Sequence, residues 1–441
     1  MDNKLSWSNF LISIELPTGV FLIKSTLTGA IVALNRDDKI AIDRWVSGDG
    51  EKPFFSIDHL VDKNVGLLVE KGSDEHWAWR NRLIHQRNNA AHIFVLHFLP
   101  TTYCQLECAY CFEKGVTHKQ KAKSNLIAES RKWLDAYFRN HPEINTFRLV
   151  FFGGEPLLRR DLVAQAAESF HSLAQEHKLN FWCELTSNGE LLDESTAMML
   201  SRHEWHRVQI TLDGLKDVHD IRRHGKNMRP TFDRIMQNIR MLLSTNHIEI
   251  VDIRISLDST NADSVSELVR FLAALDYQDR INLSFGFITS TLENPNGIMP
   301  EQNISEKILS AWKVAKDCGF KIPDELVVGP WCVAIAKHSA VLQPNGALQK
   351  CFCTVGREKY DFGTIYQPAT ETYLRDQRFE HFDRTDLCIK EKCPYLPMCG
   401  GGCVHDAIVA NGKSDGFGKR FCQKKLLKEI NEGLLLLTCD D

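Results

Sequence analysis

The stretch Cys104-Gln105-Leu106-Glu107-Cys108-Ala109-Tyr110-Cys111-Phe112 places three cysteines within eight residues, directly after the apolar run Ile93 to Leu99. Three thiolates at this spacing suit an iron–sulfur cluster. A structural zinc site normally has four protein ligands, whereas three cysteines on a [4Fe–4S] cluster leave one iron open to a ligand that is not protein. The stretch therefore predicts a chemically open cluster, and a structural zinc knuckle is the alternative.

The composition is that of an ordinary globular protein, with 441 residues, 43% hydrophobic and 25% charged. This length predicts about three domains. A net charge of -4 argues against nucleic acid as a partner. The N-terminus lacks a signal-peptide pattern and no apolar run reaches the ~18 residues of a membrane span, so we expect a cytoplasmic protein that makes no membrane contact. Fourteen cysteines in that compartment favour metal or redox chemistry over disulfides.

Strand and helix patterns alternate through residues 91–288. The predicted strands are Ile93–Leu99, Phe147–Phe152, Phe181–Thr186, Arg207–Leu212, Val251–Leu257 and Ile281–Phe287. The predicted helices between them are Ser124–Arg139, Leu162–Glu176, Ser195–Ser201, Phe232–Leu243 and Ser264–Leu275. This alternation predicts an α/β fold, with a parallel sheet curled into a partial (β/α)6 TIM-like barrel whose active site lies at the C-terminal ends of the strands.

The C-x3-C-x2-C spacing followed by an aromatic residue resembles the signature of radical S-adenosylmethionine (radical SAM) enzymes. The resemblance implies that Cys104, Cys108 and Cys111 ligate a [4Fe–4S] cluster whose open iron binds the amino and carboxylate groups of SAM. It also implies that an electron from the cluster cleaves SAM to a 5′-deoxyadenosyl radical, which abstracts a hydrogen from the substrate. The protein must then position the cofactor and exclude water.

Polar clusters after the later strands resemble the SAM-binding motifs of that family. Gly153-Gly154-Glu155-Pro156 resembles the "GGEP" motif that holds the methionyl amino group, because glycines permit close backbone approach and a carboxylate accepts from an ammonium. Arg223, with Arg222 in reserve, resembles the arginine that pairs with the SAM carboxylate. Taken singly, the polar strand ends are more typical of ordinary turns, and the arginine is equally typical of a solvated surface residue. The predicted SAM-binding residues are Phe112, Gly153, Gly154, Glu155, Pro156, Ser187, Asn188, Thr211, Asp213, Arg223 and Ser256.

Seven spaced cysteines follow Gly329 and resemble the SPASM domain, which binds two auxiliary [4Fe–4S] clusters in peptide-modifying radical SAM enzymes. The pattern departs from that family between Cys388 and Cys393, which have four residues between them instead of two. The resemblance assigns Cys388, Cys393, Cys399 and Cys422 to a distal cluster, and Cys332, Cys351 and Cys403 to a nearer one. The nearer set lacks a fourth ligand, so Cys353 or another group completes it, or one iron stays open. Two structural zinc sites are the alternative.

Residues 1–90 contain no cysteine and form a predicted separate module. Its predicted elements are strands Phe10–Leu16 and Gly19–Lys24, helices Lys39–Val46 and Ser56–Lys63, and a returning strand Gly66–Glu70. Their order resembles a winged helix-turn-helix. In radical SAM enzymes that modify ribosomally made peptides, a similar module binds the precursor's leader as an added strand, a mode known as β-augmentation. A capping subdomain without a partner is the alternative.

Four segments are therefore predicted: the N-terminal winged-helix-like module 1–90, the barrel 91–288, a bridge 289–328 with a helix from Ile304 to Cys318, and the SPASM domain 329–441. The three cysteines left over, Cys183, Cys318 and Cys439, are expected to be inert buried thiols.

The combined resemblance implies a peptide maturase with three [4Fe–4S] clusters and SAM. It would install a side-chain cross-link, either C–C, C–O or thioether, in a ribosomal precursor peptide, as in cyclophanes of the darobactin or triceptide type. The implied partners are that peptide and a one-electron reductant such as flavodoxin or ferredoxin; no catalytic base is predicted. The alternatives are an anaerobic sulfatase-maturating enzyme that forms formylglycine, and a cluster-binding redox regulator.

Overall fold

The protein is built around one nine-stranded sheet, with two smaller sheets near the N-terminus. The computed structural model describes residues 4–81, 92–114, 116, 120–202, 205–245, 247–288, 303–327, 332–369, 385–411 and 422–439. Residues 289–302 and 328 of the predicted bridge lie outside these residues.

The N-terminal module contains five strands, two helices and a further helical segment at residues 75–81 within its described residues. The elements are β1 (Leu5–Trp7), β2 (Leu11–Glu15), β3 (Phe21–Ser25), β4 (Ile31–Leu34), α1 (Arg36–Ser47), α2 (Asp58–Val61) and β5 (Leu68–Glu70). Strands β2, β3 and β4 form one antiparallel sheet, and β1 pairs with β5. The sequence patterns missed β1 and β4, which are only three and four residues long. The predicted length of the second helix, Ser56–Lys63, is wrong, because α2 is a single turn.

Six parallel strands follow in chain order and form the centre of the large sheet. They are β6 (Ile93–Phe98), β7 (Thr146–Phe151), β8 (Asn180–Ser187), β9 (Trp205–Thr211), β10 (Ile248–Leu257) and β11 (Ile281–Phe287). Each strand pairs in parallel with the next. The predicted α/β class and parallel barrel sheet are therefore confirmed. One face of every strand carries apolar residues because helices cover that face.

The helices of the barrel lie on this apolar face. They are α3 (Leu126–Asn140), α4 (Arg160–Glu176), α5 (Glu194–Leu200), α6 (Lys216–Arg222), α7 (Phe232–Ser244) and α8 (Val265–Ala273). Helix α7 illustrates why they form there: Ile235, Ile239 and Leu242 recur at helical spacing and are all 0% exposed. Helix α6 was not predicted, because its seven residues contain few apolar positions.

The C-terminal region continues the large sheet. Its strands are β12 (Ser339–Leu342), β13 (Ala347–Gln349) and β14 (Gly363–Thr364). Strand β12 pairs in parallel with β6, and β13 and β14 extend the sheet in antiparallel pairs. The predicted boundary at residue 329 therefore separates segments that share one sheet, so the cysteine-rich region has a fixed position beside the first barrel strand.

The remaining helices surround the cysteine-rich region. They are α9 (Ile304–Asp317), α10 (Thr385–Lys390), α11 (Leu396–Cys399), α12 (Val404–Asn411) and α13 (Lys424–Cys439). Helix α9 confirms the helix predicted in the bridge, and it packs against α8 and α13. None of the helices within the described ranges combines the length and apolarity needed to cross a bilayer.

The N-terminal module packs on the C-terminal region. Ile12 and Leu22 share an apolar cluster with Cys393 and Met398. The buried ammonium of Lys24 lies 3.1 Å from a Glu325 carboxylate oxygen. The module is thus attached beside the distal cysteines rather than tethered by a linker alone.

An aromatic cluster at the start of β6 is expected to contribute to the stability of the barrel. Phe94 is 0% exposed. Its ring contacts those of Trp133, Tyr137, Phe138 and Phe147, with centroids 5.1 to 6.5 Å away. We expect Phe94→Ala to lower the free energy of unfolding by about 3–5 kcal/mol. Urea denaturation followed by circular dichroism measures this loss.

The matched control is Phe54→Ala, because Phe54 is fully exposed. It should change the unfolding free energy by less than about 0.5 kcal/mol. Equal effects from the two variants would contradict the assignment of Phe94 to the barrel core.

Candidate active site

The cysteine loop lies at the C-terminal end of β6. Cys104 Sγ accepts a backbone N–H from Leu106 at 3.5 Å and the Asn188 amide at 3.7 Å. Burial, followed by the charge of Glu155 and the thiols of Cys108 and Cys111, raises the pKa of Cys104 to about 12. Such a thiol loses its proton only to a strong cation, and a metal ion that coordinates a thiol deprotonates it. The donor set therefore fits a bound metal cluster.

The two glycines after β7 allow backbone contact with the cysteine loop. A Cβ on Gly154 would lie 2.2 Å from Tyr103 O, and a Cβ on Gly153 would lie 2.5 Å from Thr101 O. In this contact Gly154 N donates to Thr101 O at 3.2 Å, and Glu155 N donates to Tyr103 O at 2.8 Å. The sequence predicts that these glycines allow close approach of a ligand. In the structure they allow close approach of the cysteine-loop backbone, so the glycines also help to position the thiols.

Glu155 joins the ends of β7 and β8. Its carboxylate is 0% exposed. It accepts from Leu157 N at 3.0 Å, from Ser187 Oγ at 3.0 and 3.1 Å, and from Asn188 N at 2.8 Å. Burial raises the pKa of Glu155 to about 7, although these hydrogen bonds act in the opposite direction. The predicted ammonium acceptor therefore also accepts from protein donors, and it holds Asn188, whose side-chain amide donates to Cys104.

Tyr110 links the cysteine loop to the ends of β9 and β10. Its hydroxyl donates to the Asp213 carboxylate in a short hydrogen bond and accepts from Arg223 Nη1 at 2.5 Å. The other Asp213 oxygen accepts from Ser256 N at 3.0 Å. Burial raises the pKa of Tyr110, so its hydroxyl stays protonated. Sequence reasoning missed Tyr110, because a tyrosine between two cysteines gives no sign of its partners.

The two adjacent arginines have different surroundings. Arg222 donates to Asp258 at 2.7 Å, to the Ser256 carbonyl at 3.0 Å, and to the Thr260 hydroxyl. These bonds use its two terminal nitrogens to join α6 to the loop after β10. Arg223 is also buried, and the Nε of both arginines has no hydrogen-bond partner among the described residues. The difference lies in the terminal nitrogens: Arg222 uses both of them to hold the loop after β10, whereas Arg223 donates through Nη1 to Tyr110 of the cysteine loop. Arg223 is therefore the arginine placed against the cysteine loop.

The remaining predicted SAM-binding residues lie at strand ends. Thr211 is the last residue of β9, and Pro156 begins the short 3-10 turn Pro156–Arg159 that follows the two glycines. Phe112 stacks on Phe152, with ring centroids 6.1 Å apart. The structure thus brings the predicted residues to one edge of the sheet.

The face of the sheet opposite the helices carries a ladder of charges that the sequence analysis missed. Arg148 Nε donates to Glu184 at 2.7 Å, and Arg207 lies 3.4 Å from Glu184 and 3.8 Å from Asp252. Asn282 donates to Asp252 at 2.5 Å. Each residue comes from a different strand, β7 to β11 in order. Each of these strands has a charged or polar residue among apolar ones, and this pattern could have predicted a polar interior.

Arg254 projects from β10 on the same side. A Cβ on Gly286 of the neighbouring strand would lie 1.5 Å from its guanidinium, so only glycine leaves room for it. Burial lowers the pKa of Arg254, although the charge of Asp252 acts in the opposite direction. The polar interior therefore holds a guanidinium close to the strand ends.

The structure gathers the C-terminal cysteines into two groups. Cys353 donates to the sulfur of Cys351, and this bond lowers the pKa of Cys351. Burial and the neighbouring Cys351 raise the pKa of Cys332 to about 11. Burial, Asp406 and the thiols of Cys351 and Cys332 raise that of Cys403. Cys353 therefore lies with the three cysteines of the nearer set.

The distal group contains the other four cysteines. Burial and the thiols of Cys388, Cys422 and Cys393 raise the pKa of Cys399 to about 11. The four-residue gap between Cys388 and Cys393 does not separate their side chains, since a bond from Cys393 N to Cys388 O at 2.9 Å closes the turn.

The nearer group contacts the cysteine loop through aromatic residues. Phe352, between Cys351 and Cys353, lies 6.2 Å from Phe112. Arg357 Nη2 donates to Phe112 O at 3.3 Å. The two cysteine-containing regions are thus joined by direct packing.

Of the three leftover cysteines, Cys183 is buried as predicted. The prediction of burial is wrong for Cys439, which is exposed, and for Cys318, which is partly exposed. Both lie at a helix end, where one side of the chain faces solvent.

Comparison with known proteins identifies the central region. Residues 98–272 match the Radical SAM superfamily. The chain contains a radical SAM domain. This family implies a [4Fe–4S] cluster and SAM, and the three clustered thiols together with the guanidinium of Arg223 fit that pair. The radical SAM part of the predicted enzyme class is confirmed.

Relatives of the radical SAM domain extend over most of the chain. A serine-type anaerobic sulfatase-maturating enzyme of Bacteroides thetaiotaomicron is 24% identical over 348 residues, which cover 68% of this chain and 80% of that one. A structure of anSMEcpe with bound AdoMet and Kp18Cys peptide has a TM-score of 0.60 at 19% identity, covering 78% of this chain and 98% of that one. Streptococcus suis SuiB bound to precursor peptide SuiA has a TM-score of 0.50 at 14% identity, with 92% and 96% covered.

The two arginines give a prediction that separates binding from stability. We expect Arg223→Gln to weaken SAM binding at least about tenfold, because it removes a charge-assisted hydrogen bond worth about 1.5–3 kcal/mol, and to leave the iron content unchanged. Arg222→Gln should instead destabilise the fold by about 3–5 kcal/mol, because it leaves Asp258 buried without its partner. Equilibrium dialysis of SAM and thermal unfolding measure the two effects. The reverse pattern would assign the anion site to Arg222.

Proposed function

We propose that this chain is a radical SAM peptide maturase that installs a side-chain cross-link in a ribosomally synthesised precursor peptide. The observation that carries the proposal is the N-terminal module, which packs on the cysteine-rich region through Ile12 of its outer strand β2, while the other outer strand, β4, has an edge that is unpaired within the described residues. Such an edge suits capture of an extended peptide.

The register shows how β4 would bind a peptide backbone. Ser25 N donates to Ala30 O at 2.9 Å, and Lys24 pairs with Ile31. Because hydrogen-bonded and non-bonded pairs alternate in an antiparallel ladder, the N–H groups of Ile31 and Ala33 point away from β3. Ile31 is 41% exposed and offers apolar surface beside this edge. We therefore assign leader binding to β4.

We further propose three [4Fe–4S] clusters. Cys104, Cys108 and Cys111 hold the one that binds SAM; Cys332, Cys351, Cys353 and Cys403 hold the nearer auxiliary cluster, and Cys388, Cys393, Cys399 and Cys422 the distal one. The radical SAM match upstream and the cysteine-rich C-terminal region support clusters over zinc.

When bound, SAM and its cluster supply a 5′-deoxyadenosyl radical at the strand ends. The chain's part is to hold the peptide's reacting carbon there. The charges of Arg148, Glu184, Asp252 and Arg254 offer hydrogen bonds to a polar backbone inside the barrel. Forming the cross-link removes two hydrogens from the peptide. One is abstracted as an atom by the deoxyadenosyl radical; the other leaves as a proton to solvent together with one electron, which the auxiliary clusters would be placed to accept. A flavodoxin or ferredoxin would supply the initiating electron, in the cytoplasm.

A second candidate is formylglycine formation, the alternative prediction. It is favoured by the sequence relatives, since an anaerobic sulfatase-maturating enzyme is similar over 68% of this chain. The coverage of solved structures favours peptide cross-linking instead. The alignment with SuiB covers 92% of this chain, whereas that with anSMEcpe covers 78%. A redox regulator that does not cleave SAM is the third alternative, and the radical SAM domain leaves it without support.

The experiment compares peptides and a strand-edge variant. The protein with its clusters should remove two hydrogens from a precursor peptide encoded beside its gene and should not convert a sulfatase-derived peptide to formylglycine. Ala33→Pro removes an outward N–H, so it should lower kcat/KM for the full precursor at least about tenfold, which is about 1.4 kcal/mol and in the range of one hydrogen bond. Mass spectrometry and deoxyadenosine release measure both results.

Ala33→Ser keeps the N–H and is the matched control, so its kcat/KM should match that of the unaltered protein. Formylglycine as the only product would establish the second candidate. Equal activity of Ala33→Pro and Ala33→Ser would contradict leader binding at β4.

A further inference from the structure

Three potential metal ligands converge on the side of the barrel, outside all cysteine sets. His141 directly follows α3, Glu143 lies in the loop before β7, and His338 directly precedes β12. One ligand atom from each lies within 4.8 Å of the other two. Glu143 Oε1 is 3.3 Å from His141 Nδ1 and 3.2 Å from His338 Nε2. Two imidazoles and a carboxylate are a donor set typical of zinc-type divalent cations.

The side chain of His338 is held in a fixed position beside Glu143. The residue is 2% exposed, and its Nε2 is buried without a hydrogen-bond partner of acceptable geometry among the described residues. Its other nitrogen, Nδ1, lies 2.7 Å from the hydroxyl of Tyr137. In metal sites the second ring nitrogen of a histidine ligand usually makes such a bond, which fixes the ring and its tautomer. When Nδ1 donates this bond to the Tyr137 hydroxyl, Nε2 is left with a lone pair for a cation on the side of Glu143.

The chemistry of the cluster suits a cation, because a carboxylate and two imidazoles bind metal through deprotonated oxygen and neutral nitrogen. His92 lies beside the cluster, with Nδ1 2.6 Å from the backbone oxygen of Glu143.

Lys337 is the one competing cation within the described surroundings of Glu143. Its Nζ lies 3.2 Å from Glu143 Oε1, and its side chain is 45% exposed. A lysine this exposed can turn toward solvent at little cost, because exposed ion pairs contribute about 0–1 kcal/mol. It would move aside when a divalent ion takes the carboxylate.

We propose that His141, Glu143 and His338 bind one zinc-type divalent cation, with water completing its coordination. The ion would join the end of α3 to the start of β12, the strand that attaches the cysteine-rich region to the barrel. It would therefore act as a clip between the two regions. The proposal uses none of the iron–sulfur ligands and is independent of the reaction that the enzyme catalyses.

The test measures zinc on the full chain with its clusters in place. Anaerobic protein is dialysed against Zn²⁺ alone, and zinc and iron are determined separately in each sample. The unaltered protein should bind one zinc per chain without losing iron. Glu143→Gln and His141→Ala should each weaken zinc binding at least about 100-fold, since loss of an outer-shell partner alone costs 10–100-fold. Iron content should not change in either variant.

Two further variants shift affinity in opposite directions. Tyr137→Phe keeps the ring packing and should weaken zinc binding about 10–100-fold by releasing His338. Lys337→Ala removes the competing ammonium and should strengthen it. His177→Ala is the matched control, because His177 pairs with Asp135 at 2.9 Å and should leave zinc binding unchanged.

X-ray absorption at the zinc edge identifies the ligands directly. Nitrogen and oxygen ligands, lost in Glu143→Gln, would support the site. Sulfur ligands, zinc that only displaces iron, or equal zinc binding by the unaltered protein and Glu143→Gln would overturn it.

Discussion

The buried carboxylate of Glu155 is the constraint on which the rest of the site depends. It accepts from Leu157, Ser187 and Asn188, and its neighbour Gly154 contacts the cysteine loop through backbone. One side chain thus fixes the ends of β7 and β8 relative to the loop that follows β6. A buried charge is stable only when its hydrogen bonds are satisfied, so this arrangement has little freedom to shift. The thiols are held in place by the same contacts.

A second hydrogen-bond network fixes the cysteine loop to the later strands of the sheet. The hydroxyl of Tyr110, in the cysteine loop, donates to Asp213, which follows β9. Asp213 also accepts from the backbone N–H of Ser256 in β10. On the other side, β12 continues the sheet past β6 and brings the nearer cysteine group against Phe112 through Phe352. The barrel, the cysteine loop and the C-terminal region therefore form one connected framework. A peptide inside the barrel would meet both the strand ends and the auxiliary cysteines.

Much of this could be predicted from the sequence, because strands of a parallel sheet are long apolar runs and helices repeat their apolar residues every three or four positions. The short strands β4 and β12 escaped prediction, since four residues carry no clear period. Long-range partners escaped it as well. Nothing local places Tyr110 between Asp213 and Arg223, or distinguishes Arg222 from Arg223, because those roles arise only when distant strand ends meet. The placement of Cys353 likewise depends on a turn that brings it back toward Cys351.

The central claim is that the clustered thiols hold iron–sulfur clusters that cleave SAM. Iron and sulfide should be measured per chain on anaerobically reconstituted protein, together with 5′-deoxyadenosine formed from SAM under reduction. The account predicts about twelve irons, four for each of three clusters, and deoxyadenosine in amounts that rise with time. Zinc with little iron, and no deoxyadenosine, would contradict it and would make the cysteines ligands of structural metal ions.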